Sequence, residues 1–298
     1  MREKAAAVAG AGRAGESPRT AGGLLERFAD GYRILEKDDG TDYWSIAKRF
    51  LNKEFPAKRL PNLCPDVREV YLADVDGRPL VLKRENGPPR KLEKLAWQLL
   101  AGPFNSSLMR RVNRAVNGGC RAVPDMYLAA ERMRGPVCVE AIVLMEYLEG
   151  RTLLETNFLE RRAGLAGAVH PRPVGQDFRL IDYYAKGGLL RLRLDKWMEA
   201  AIRETMSSLH SHGLAHCDLH PSNILVGGGE VRIIDLGCRG TLLLSRAKDL
   251  ARLKARYGID SSAPGALLGA ACRCIALLDK ARSGKRRLVN AVKRFFVP

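Results

Sequence analysis

The composition and charge of the chain narrow its possible functions. Its 298 residues are 46% hydrophobic and 28% charged, which is ordinary for a soluble protein with a substantial core. No apolar run approaches the length of a membrane span. The 50 Lys and Arg residues exceed the 33 Asp and Glu residues, and the resulting net charge of +17 predicts an anionic partner. We do not expect nucleic acid, because no helix-turn-helix, zinc-finger or aromatic RNA-binding signature is present.

Residues 1–22 are predicted to form a disordered tail. Met1 to Thr20 are rich in Ala, Gly and Arg without periodicity, and they lack the apolar stretch of a signal peptide. The seven cysteines are scattered and odd in number, which is typical of reduced thiols in a cytoplasm rather than of a disulfide framework.

A hairpin that ends in a lysine is predicted next. The apolar runs 70–73 and 79–82 flank Asp76-Gly77, a dipeptide typical of two-residue type I′ turns. Lys83 then ends the second strand and is expected to face a cleft. A single strand lysine is more often a solvated edge charge, but the motifs downstream favour a phosphate-binding role for Lys83.

A buried strand is predicted over Val139 to Gly150, where an apolar run ends in an acidic turn that is closed by glycine. Residues 155–195 follow as an insertion that is rich in Arg and Gly and contains Pro171 and Pro173. The sequence assigns no task to this insertion.

A helix is predicted over Trp197 to His210, with Gly213 as its stop signal. Its expected buried positions are Trp197, Ala201, Thr205, Met206 and Leu209. Four of the five histidines lie in or after this helix, namely His210, His212, His216 and His220. A zinc cluster is therefore an alternative, but zinc would leave Asn223 and Asp235 unexplained, and no cysteine pair nearby has the spacing of a closed zinc site.

Three oxygen-bearing side chains then follow at a spacing that predicts phosphoryl transfer. Asp218 precedes Asn223 by five residues, and Asp235 follows a hairpin that turns at three glycines from Gly227. Phosphoryl transfer needs a carboxylate beside the attacking hydroxyl, an amide oxygen on one metal ion and a second carboxylate on the metal. The spacing matches the kinase catalytic loop and the Asp-Phe-Gly element, with Leu236 in place of Phe. Each residue alone could be a turn former, but the combination favours a kinase site.

The chain resembles the lipopolysaccharide core heptose(II) kinase family, small atypical bacterial kinases related to the Kdo kinases and to RIO-type kinases. The likeness runs from about Tyr71 to Ile259 and rests on the segments 70–83, 124–132, 145–150, 218–223, 233–236 and 247–250. The resemblance implies an α+β, two-lobed protein-kinase-like fold. A small N-terminal β-sheet lobe would span 23–145, and a mainly helical C-terminal lobe would span 146–298 and end in a basic helix.

The resemblance also implies an ATP- and Mg²⁺-dependent kinase. Lys83 would place the phosphates of ATP and Asp218 would accept the proton of the attacking hydroxyl, so these two are the predicted catalytic residues. Asn223 and Asp235 would bind the nucleotide through magnesium. His216 would hold the backbone of the loop by hydrogen bonds, as the first residue of the kinase motif does.

The adenine is expected to meet backbone groups near Glu146 and Leu148, as in a kinase hinge. Two features depart from the family pattern. No Gly-x-Gly-x-x-Gly loop precedes Lys83, so we expect a glycine-poor turn around Pro61 to Pro65 to cover the nucleotide. Glu93 is one candidate for the glutamate partner of Lys83, and it could equally be a solvated helix charge.

The implied acceptor is a heptose hydroxyl of the lipopolysaccharide inner core, reached at the cytoplasmic face of the bacterial inner membrane, with Kdo as an alternative sugar. Basic and apolar residues interleave over 280–298, as in an amphipathic helix on an anionic membrane or in a terminal helix packed on the lobe. The rival functions are a RIO-like protein kinase and a nucleotide-binding pseudokinase scaffold. No Ala-Pro-Glu element follows Asp235, which disfavours a peptide acceptor.

Overall fold

The structure, a computed structural model, describes residues 19–20, 23–60, 68–88, 98–100, 102–156, 178–185, 188–237, 242–260, 265 and 267–278. Its strands are β1 (Arg19–Thr20), β2 (Leu24–Ala29), β3 (Tyr32–Lys37), β4 (Ala57–Arg59), β5 (Arg68–Val75), β6 (Arg78–Asn86), β7 (Met126–Arg134), β8 (Val137–Glu146), β9 (Arg151–Thr152), β10 (Phe178–Ala185), β11 (Gly188–Asp195), β12 (Ile224–Gly227) and β13 (Glu230–Ile233). Its helices include α1 (Tyr43–Leu51), α2 (Phe104–Asn117), α3 (Lys196–Ser211) and α4 (Leu242–Tyr257), with a 3₁₀ turn at Pro221–Asn223. Residues 98–100, 153–156 and 267–278 are also helical. None of the described helices has both the length and the apolar character needed to cross a bilayer.

Strands β1 to β8 form one antiparallel sheet in the order β1-β2-β3-β7-β8-β6-β5-β4. The helices α3 and α4 and the small sheet β13-β12-β9 come after it in the chain. This arrangement confirms the α+β, two-lobed kinase-like fold that was predicted. The lobe bounds 23–145 and 146–298 stay a prediction.

The two ends of the chain lie largely outside the described residues. Of the tail predicted over 1–22, Arg19–Thr20 form β1 and pair with β2. The remaining residues of that tail and the basic segment 280–298 belong to the undescribed part. The hairpin β2–β3 and helix α1 were not predicted from the sequence.

Two tight turns position the strands that lead to the site. Asp76 and Gly77 both have positive φ, 54° and 79°, which confirms the predicted type I′ turn between β5 and β6. Gly228 and Gly229 join β12 to β13 in the same way, with φ of 58° and 79°, one residue after the predicted start. Lys83 lies inside β6, paired with β5 and β8, rather than at its predicted end.

The sheet buries both faces. On one face, Ile34, Leu82, Leu128 and Ile142 pack with Trp44 and other apolar residues of α1. On the other face, Leu35, Ala129 and Val143 pack with α2 and continue into the core of the helical lobe. The alternation along each strand follows from the two-residue period of β-structure.

A buried carboxylate fixes α2 to the sheet. Glu131 of β7 is fully buried. It accepts hydrogen bonds from the backbone N–H groups of Asn105 at 2.8 Å and Ser106 at 3.3 Å, and from the Ser106 hydroxyl. A negative charge at a helix N-terminus satisfies donors that the helix leaves open and is favoured by the helix dipole. Helix α2 therefore keeps a fixed position beside the cleft.

Helix α3 confirms the predicted element and the predicted burial of Thr205, Met206 and Leu209, whereas Ala201 is only partly buried. Its buried residues are Met198, Ile202, Thr205, Met206, Leu209 and His210. Trp197 is 40% exposed, because the core lies on the side of α3 that begins with Met198. The insertion contributes the hairpin β10–β11, whose Leu192 and Leu194 enter the main core next to α3.

Two glycines, Gly150 and Gly227, allow the backbone that follows β8 to pack closely against β12. Gly150 has φ of +146°, and a Cβ at this position would lie 2.9 Å from the carbonyl oxygen of Val226. A Cβ at Gly227 would lie 2.9 Å from the Cα of Gly150. Because no side chain intervenes, the chain after β8 can pass directly beside β12, the strand that follows the loop containing Asp218.

We expect Gly150→Ala to lower the free energy of unfolding by about 1–3 kcal/mol or more, because the backbone conformation is one that only glycine adopts easily and the added methyl meets backbone. Gly135→Ala is the control, since its φ is +59° and no atom lies within 4 Å of the added Cβ. That change should cost about 1–2 kcal/mol. Urea unfolding measures both. Equal losses would show that the close packing of Gly150 against β12 tolerates a side chain.

Candidate active site

A cleft of about 630 Å³ lies between the sheet and the helical lobe. Met126, Val143 and Met145 contribute to its apolar lining. Its charged lining consists of Arg68, Lys83, Glu85, Asp218, Asp235, Lys248 and Arg252. The predicted residues Lys83, Asp218 and Asp235 therefore meet in one cleft, although they come from three separate parts of the sequence.

A buried aspartate of α4, Asp249, holds the predicted catalytic loop, residues 216–223, by hydrogen bonds. Asp249 is fully buried. Its carboxylate accepts the backbone N–H groups of His216 at 2.7 Å and Cys217 at 2.6 Å, and it lies 3.2 Å from Nε2 of His210. Cys217 adopts φ of +64°, a conformation that needs such support. The sequence analysis noted Asp249 only as part of a family segment and did not predict this role.

His216 holds the loop to the strand that carries Asp235. Its Nδ1 accepts the backbone N–H of Asp218 at 3.0 Å, and its Nε2 lies 2.9 Å from the carbonyl oxygen of Ile234. This pattern corresponds to a neutral ring that carries its proton on Nε2. The prediction that His216 holds the loop backbone by hydrogen bonds is confirmed.

Asn223 is hydrogen-bonded to Asp218 and to Ile234, the residue before Asp235. Its side-chain Nδ2 donates to the backbone carbonyl oxygen of Asp218 at 3.2 Å, and its backbone carbonyl oxygen accepts the N–H of Ile234 at 3.0 Å. His220 precedes the 3₁₀ turn and accepts the N–H of Ser222 at 3.2 Å. Burial lowers the pKa of His220, and nearby Arg256 lowers it further, which suits an accepting neutral ring.

Two cations of the sheet surround Asp235. Nζ of Lys83 lies 3.1 Å from one carboxylate oxygen of Asp235, and Nη1 of Arg68 lies 3.4 Å from the other. The positive charge of Lys83 is the main cause that lowers the pKa of Asp235 to about 2, Arg68 adds to it, and burial opposes it. Asp235 also has φ of +62°, a left-handed conformation that is uncommon for residues other than glycine.

Sequence reasoning did not find Arg68. Glu85, two residues after Lys83 on β6, accepts from Nε of Arg68 at 2.7 Å and turns the guanidinium toward the cleft. The signal was present in the register, because Arg68 and Glu85 are directly paired across β5 and β6. The resulting group of two cations and two carboxylates is the most highly charged part of the cleft on the sheet side.

The other predicted residues either do not line the cleft or lie outside the described residues. The carboxylate of Glu146 accepts the N–H of Asp125 at 3.1 Å, and Leu148 is buried; neither residue lines the cleft. Their contact with adenine stays a prediction. Glu93 and the turn around Pro61 to Pro65 lie outside the described residues.

The four clustered histidines have separate partners. His210 contacts Asp249, His216 contacts Ile234, His220 contacts Ser222, and His212 contacts backbone oxygens of Ser208 and Gly118. Among the residues that the structure describes, no group of three or more His, Cys, Asp and Glu side chains could hold a metal ion.

Comparison with known proteins matches this fold and site to one family. A family model described as "Lipopolysaccharide core biosynthesis protein (WaaY)" matches residues 25–162 and 180–264, which include Lys83, Asp218, Asn223 and Asp235. The chain belongs to the WaaY family. The resemblance that the sequence motifs indicated is therefore confirmed.

Two named relatives agree with the family match, and one solved structure has a weaker likeness. The chain is 24% identical over 228 residues to the lipopolysaccharide core heptose(II) kinase WaaY of Escherichia coli strain K12, covering 76% of this chain and 83% of that protein. A second Escherichia coli heptose(II) kinase WaaY is 24% identical over 77% of this chain and 84% of its own length. A solved structure titled "WaaP in complex with acyl carrier protein" has 17% identity and a TM-score of 0.40, covering 86% of this chain and 92% of that one.

We expect Lys83→Met to raise the pKa of Asp235 from about 2 toward its usual value of 3.8, because Lys83 is the largest favourable charge. Carbon-13 NMR titration of the aspartate carboxylates measures this. A lowered pKa stabilises the fold above the usual pKa, and this contribution is lost as the pH falls through about 2. The loss of folding stability as the pH falls from 3.8 to about 2 should therefore be smaller in Lys83→Met than in the parent.

Arg84→Met is the matched control for this titration. Arg84 is the next residue of β6 and pairs with Glu140 rather than with Asp235. It should leave the Asp235 titration near that of the parent. An unchanged pKa of Asp235 in Lys83→Met would show that Arg68, rather than Lys83, keeps the carboxyl group ionised.

Proposed function

We infer that this protein is an ATP-dependent kinase that phosphorylates a heptose hydroxyl of the lipopolysaccharide inner core. The observation that carries this inference is the meeting of Lys83, Asp235 and Asp218 in one cleft of a WaaY family member. Cations on one side of the cleft suit the phosphates of ATP. A carboxylate on the opposite lobe suits the hydroxyl that attacks.

Asp218 is the residue that handles the proton. Its side chain is 68% exposed to the cleft, while its backbone N–H and carbonyl are fixed by His216 and Asn223. It accepts the proton of the sugar hydroxyl as the hydroxyl oxygen forms a bond to the γ-phosphorus. The bond between the γ-phosphorus and the bridging oxygen breaks, and ADP leaves with that oxygen.

Lys83 and Arg68 keep positive charge where the phosphates of the nucleotide arrive. In the structure both cations contact Asp235, so the charges are already placed before a ligand binds. Preplaced charge lowers the barrier because it needs no reorganisation during the reaction. Glu85 acts as a positioning residue, since it holds Nε of Arg68.

The oxygen donors of the site suit magnesium. Asp235 stays ionised at neutral pH because its pKa is about 2, and the side-chain oxygen of Asn223 is a second hard donor beside the same loop. Bound Mg²⁺ would neutralise phosphate charge. Nitrogen and sulfur ligands that select zinc are not part of this set.

The rival functions differ in acceptor or in turnover. The intact set of Asp218, Asn223 and Asp235 favours an enzyme over a pseudokinase scaffold, and family membership favours a lipopolysaccharide acceptor over a peptide. Heptose is favoured over Kdo because both Escherichia coli relatives are named heptose(II) kinases. The mass and phosphate position of inner-core oligosaccharide, incubated with enzyme and ATP with and without magnesium, discriminates all of these.

We expect Asp218→Asn to lower turnover of such an acceptor about 10²–10⁴-fold, because the amide cannot accept the proton. Affinity for ATP should be retained, since Asp218 makes no contact with Lys83 or Asp235. Phosphate transfer from labelled ATP and calorimetric titration of ATP measure the two quantities.

Asp260→Asn is the control for this change. Asp260 is an exposed partner of Lys254 outside the cleft, and its loss should leave turnover unaltered. Turnover by Asp218→Asn that matches the parent would remove Asp218 from the chemistry and revive the scaffold alternative.

We also propose that the enzyme works at the inner face of the bacterial inner membrane as a peripheral protein. The segment 281–298 contains six cations interleaved with apolar residues that include Phe295 and Phe296. Each cation near an anionic leaflet contributes about 1 kcal/mol, and salt screens this contribution.

Deleting residues 281–298 should weaken binding to anionic liposomes, while binding of ATP is kept. Co-sedimentation at low and high salt measures the effect. A variant with the six cations changed to Gln separates charge from the apolar contribution of the phenylalanines. Equal sedimentation of the deletion variant and the parent would assign any membrane contact to another basic surface.

A further inference from the structure

Helix α4 brings two cations to the cleft that the nucleotide-binding residues do not explain. Lys248 and Arg252 lie four residues apart on α4, on one face of the helix, and both line the cleft. Lys248 makes no hydrogen bond or ion pair within the described part of the chain. Lys248 is partly buried, and none of the described carboxylates pairs with it.

Arg252 is a partly buried cation with a buried Nε that has no acceptor among the described residues. Its side chain is 16% exposed, and its Nη1 donates to the carbonyl oxygen of Cys217 and lies 3.4 Å from a carboxylate oxygen of Asp218. A buried donor without an acceptor costs free energy, and the planar guanidinium is suited to two-point binding of a phosphate or carboxylate.

The position of this pair places it at the acceptor end of the reaction. The transferred phosphoryl group passes between the leaving oxygen and the attacking hydroxyl in a line. Asp235, with Lys83 and Arg68, lies at the nucleotide end. Arg252 instead contacts Asp218, the residue that meets the hydroxyl. A cation that contacts Asp218 and belongs to the helical lobe is therefore near the acceptor.

We propose that Lys248 and Arg252 form a subsite for an anionic group on the acceptor, next to the hydroxyl that is phosphorylated. The proposal rests on the proposed function of the same cleft. A phosphate and a sugar carboxylate share the chemistry required, since both accept charge-assisted hydrogen bonds from ammonium and guanidinium groups. The enzyme then selects a sugar region that already carries negative charge over a neutral one.

Lys248→Met tests the subsite without disturbing the loop, because Lys248 makes no hydrogen bond or ion pair with any described residue. The full chain is assayed with Mg-ATP and three forms of inner-core oligosaccharide: intact, phosphatase-treated and carboxyl-reduced. We expect the KM for the intact form to rise about tenfold, the loss of one charge-assisted bond. The KM should not rise for the form that lacks the recognised group, which identifies that group as phosphate or carboxylate. The KM for ATP should change less than about twofold.

Lys254→Met is the matched control, because it removes the same charge from α4 at an exposed pair with Asp260. It should leave the KM for ATP and for every acceptor unchanged. The subsite is overturned if Lys248→Met loses affinity equally for all three acceptors, loses affinity for ATP instead, or behaves like Lys254→Met.

A binding measurement separates the subsite from the proposed function. Intact oligosaccharide is titrated into the ADP-loaded parent and the Lys248→Met variant by calorimetry. Weaker binding of the oligosaccharide to the variant supports the subsite, whether or not the acceptor is phosphorylated. Failure to phosphorylate any form of the acceptor would overturn only the proposed kinase function. Equal binding to both proteins overturns the subsite and leaves the kinase function standing.

Discussion

The buried carboxylate of Asp249 is the constraint on which the rest of the site depends. It receives two adjacent backbone N–H groups of the catalytic loop and the ring of His210, so one side chain of α4 ties that helix to the loop and to α3. A buried charge is tolerated only when its hydrogen bonds are complete. Any movement of the loop would break them. Asp218 therefore keeps a fixed position although its own carboxylate is largely exposed.

On the sheet side, the charges of the site are held by one another. Asp235 pairs with Lys83 and Arg68, and Arg68 is shared with Glu85. The four side chains form a network in which each cation has a carboxylate until phosphate oxygens arrive. No glycine-rich sequence motif precedes Lys83, so in the proposed function the side-chain cations on these two paired strands would supply positive charge for a nucleotide. The pairing register of β5 and β6 brings that charge together.

The parts of this site that the sequence predicted are those fixed by short-range spacing. Asp218, Asn223 and Asp235 lie within one loop and one hairpin, and the turn at Asp76-Gly77 sets the register that points Lys83 inward. Arg68, Lys248 and Arg252 were not predicted, because their positions in the cleft depend on the packing of distant elements. Arg68 and Asp235, for example, are 167 residues apart in the chain. In α3 only the first two buried positions were predicted one residue early, since an apolar Trp197 at the start of a helix carries no information about which side the core occupies.

The N-terminal strands also change how the sheet meets its surroundings. Without β1 to β3, the open edge of the sheet would be β7, a nine-residue strand with unpaired backbone groups. With them, the sheet ends on one side in a two-residue strand and on the other in a three-residue strand. Long exposed edges recruit other chains by backbone pairing, and short ones offer little template for it. Among the described residues, β1 covers Leu24 and Leu25 of β2, and β4 covers Tyr71 to Ala73 of β5. Both outer strands therefore leave a neighbouring copy only a shortened stretch of backbone with which to pair.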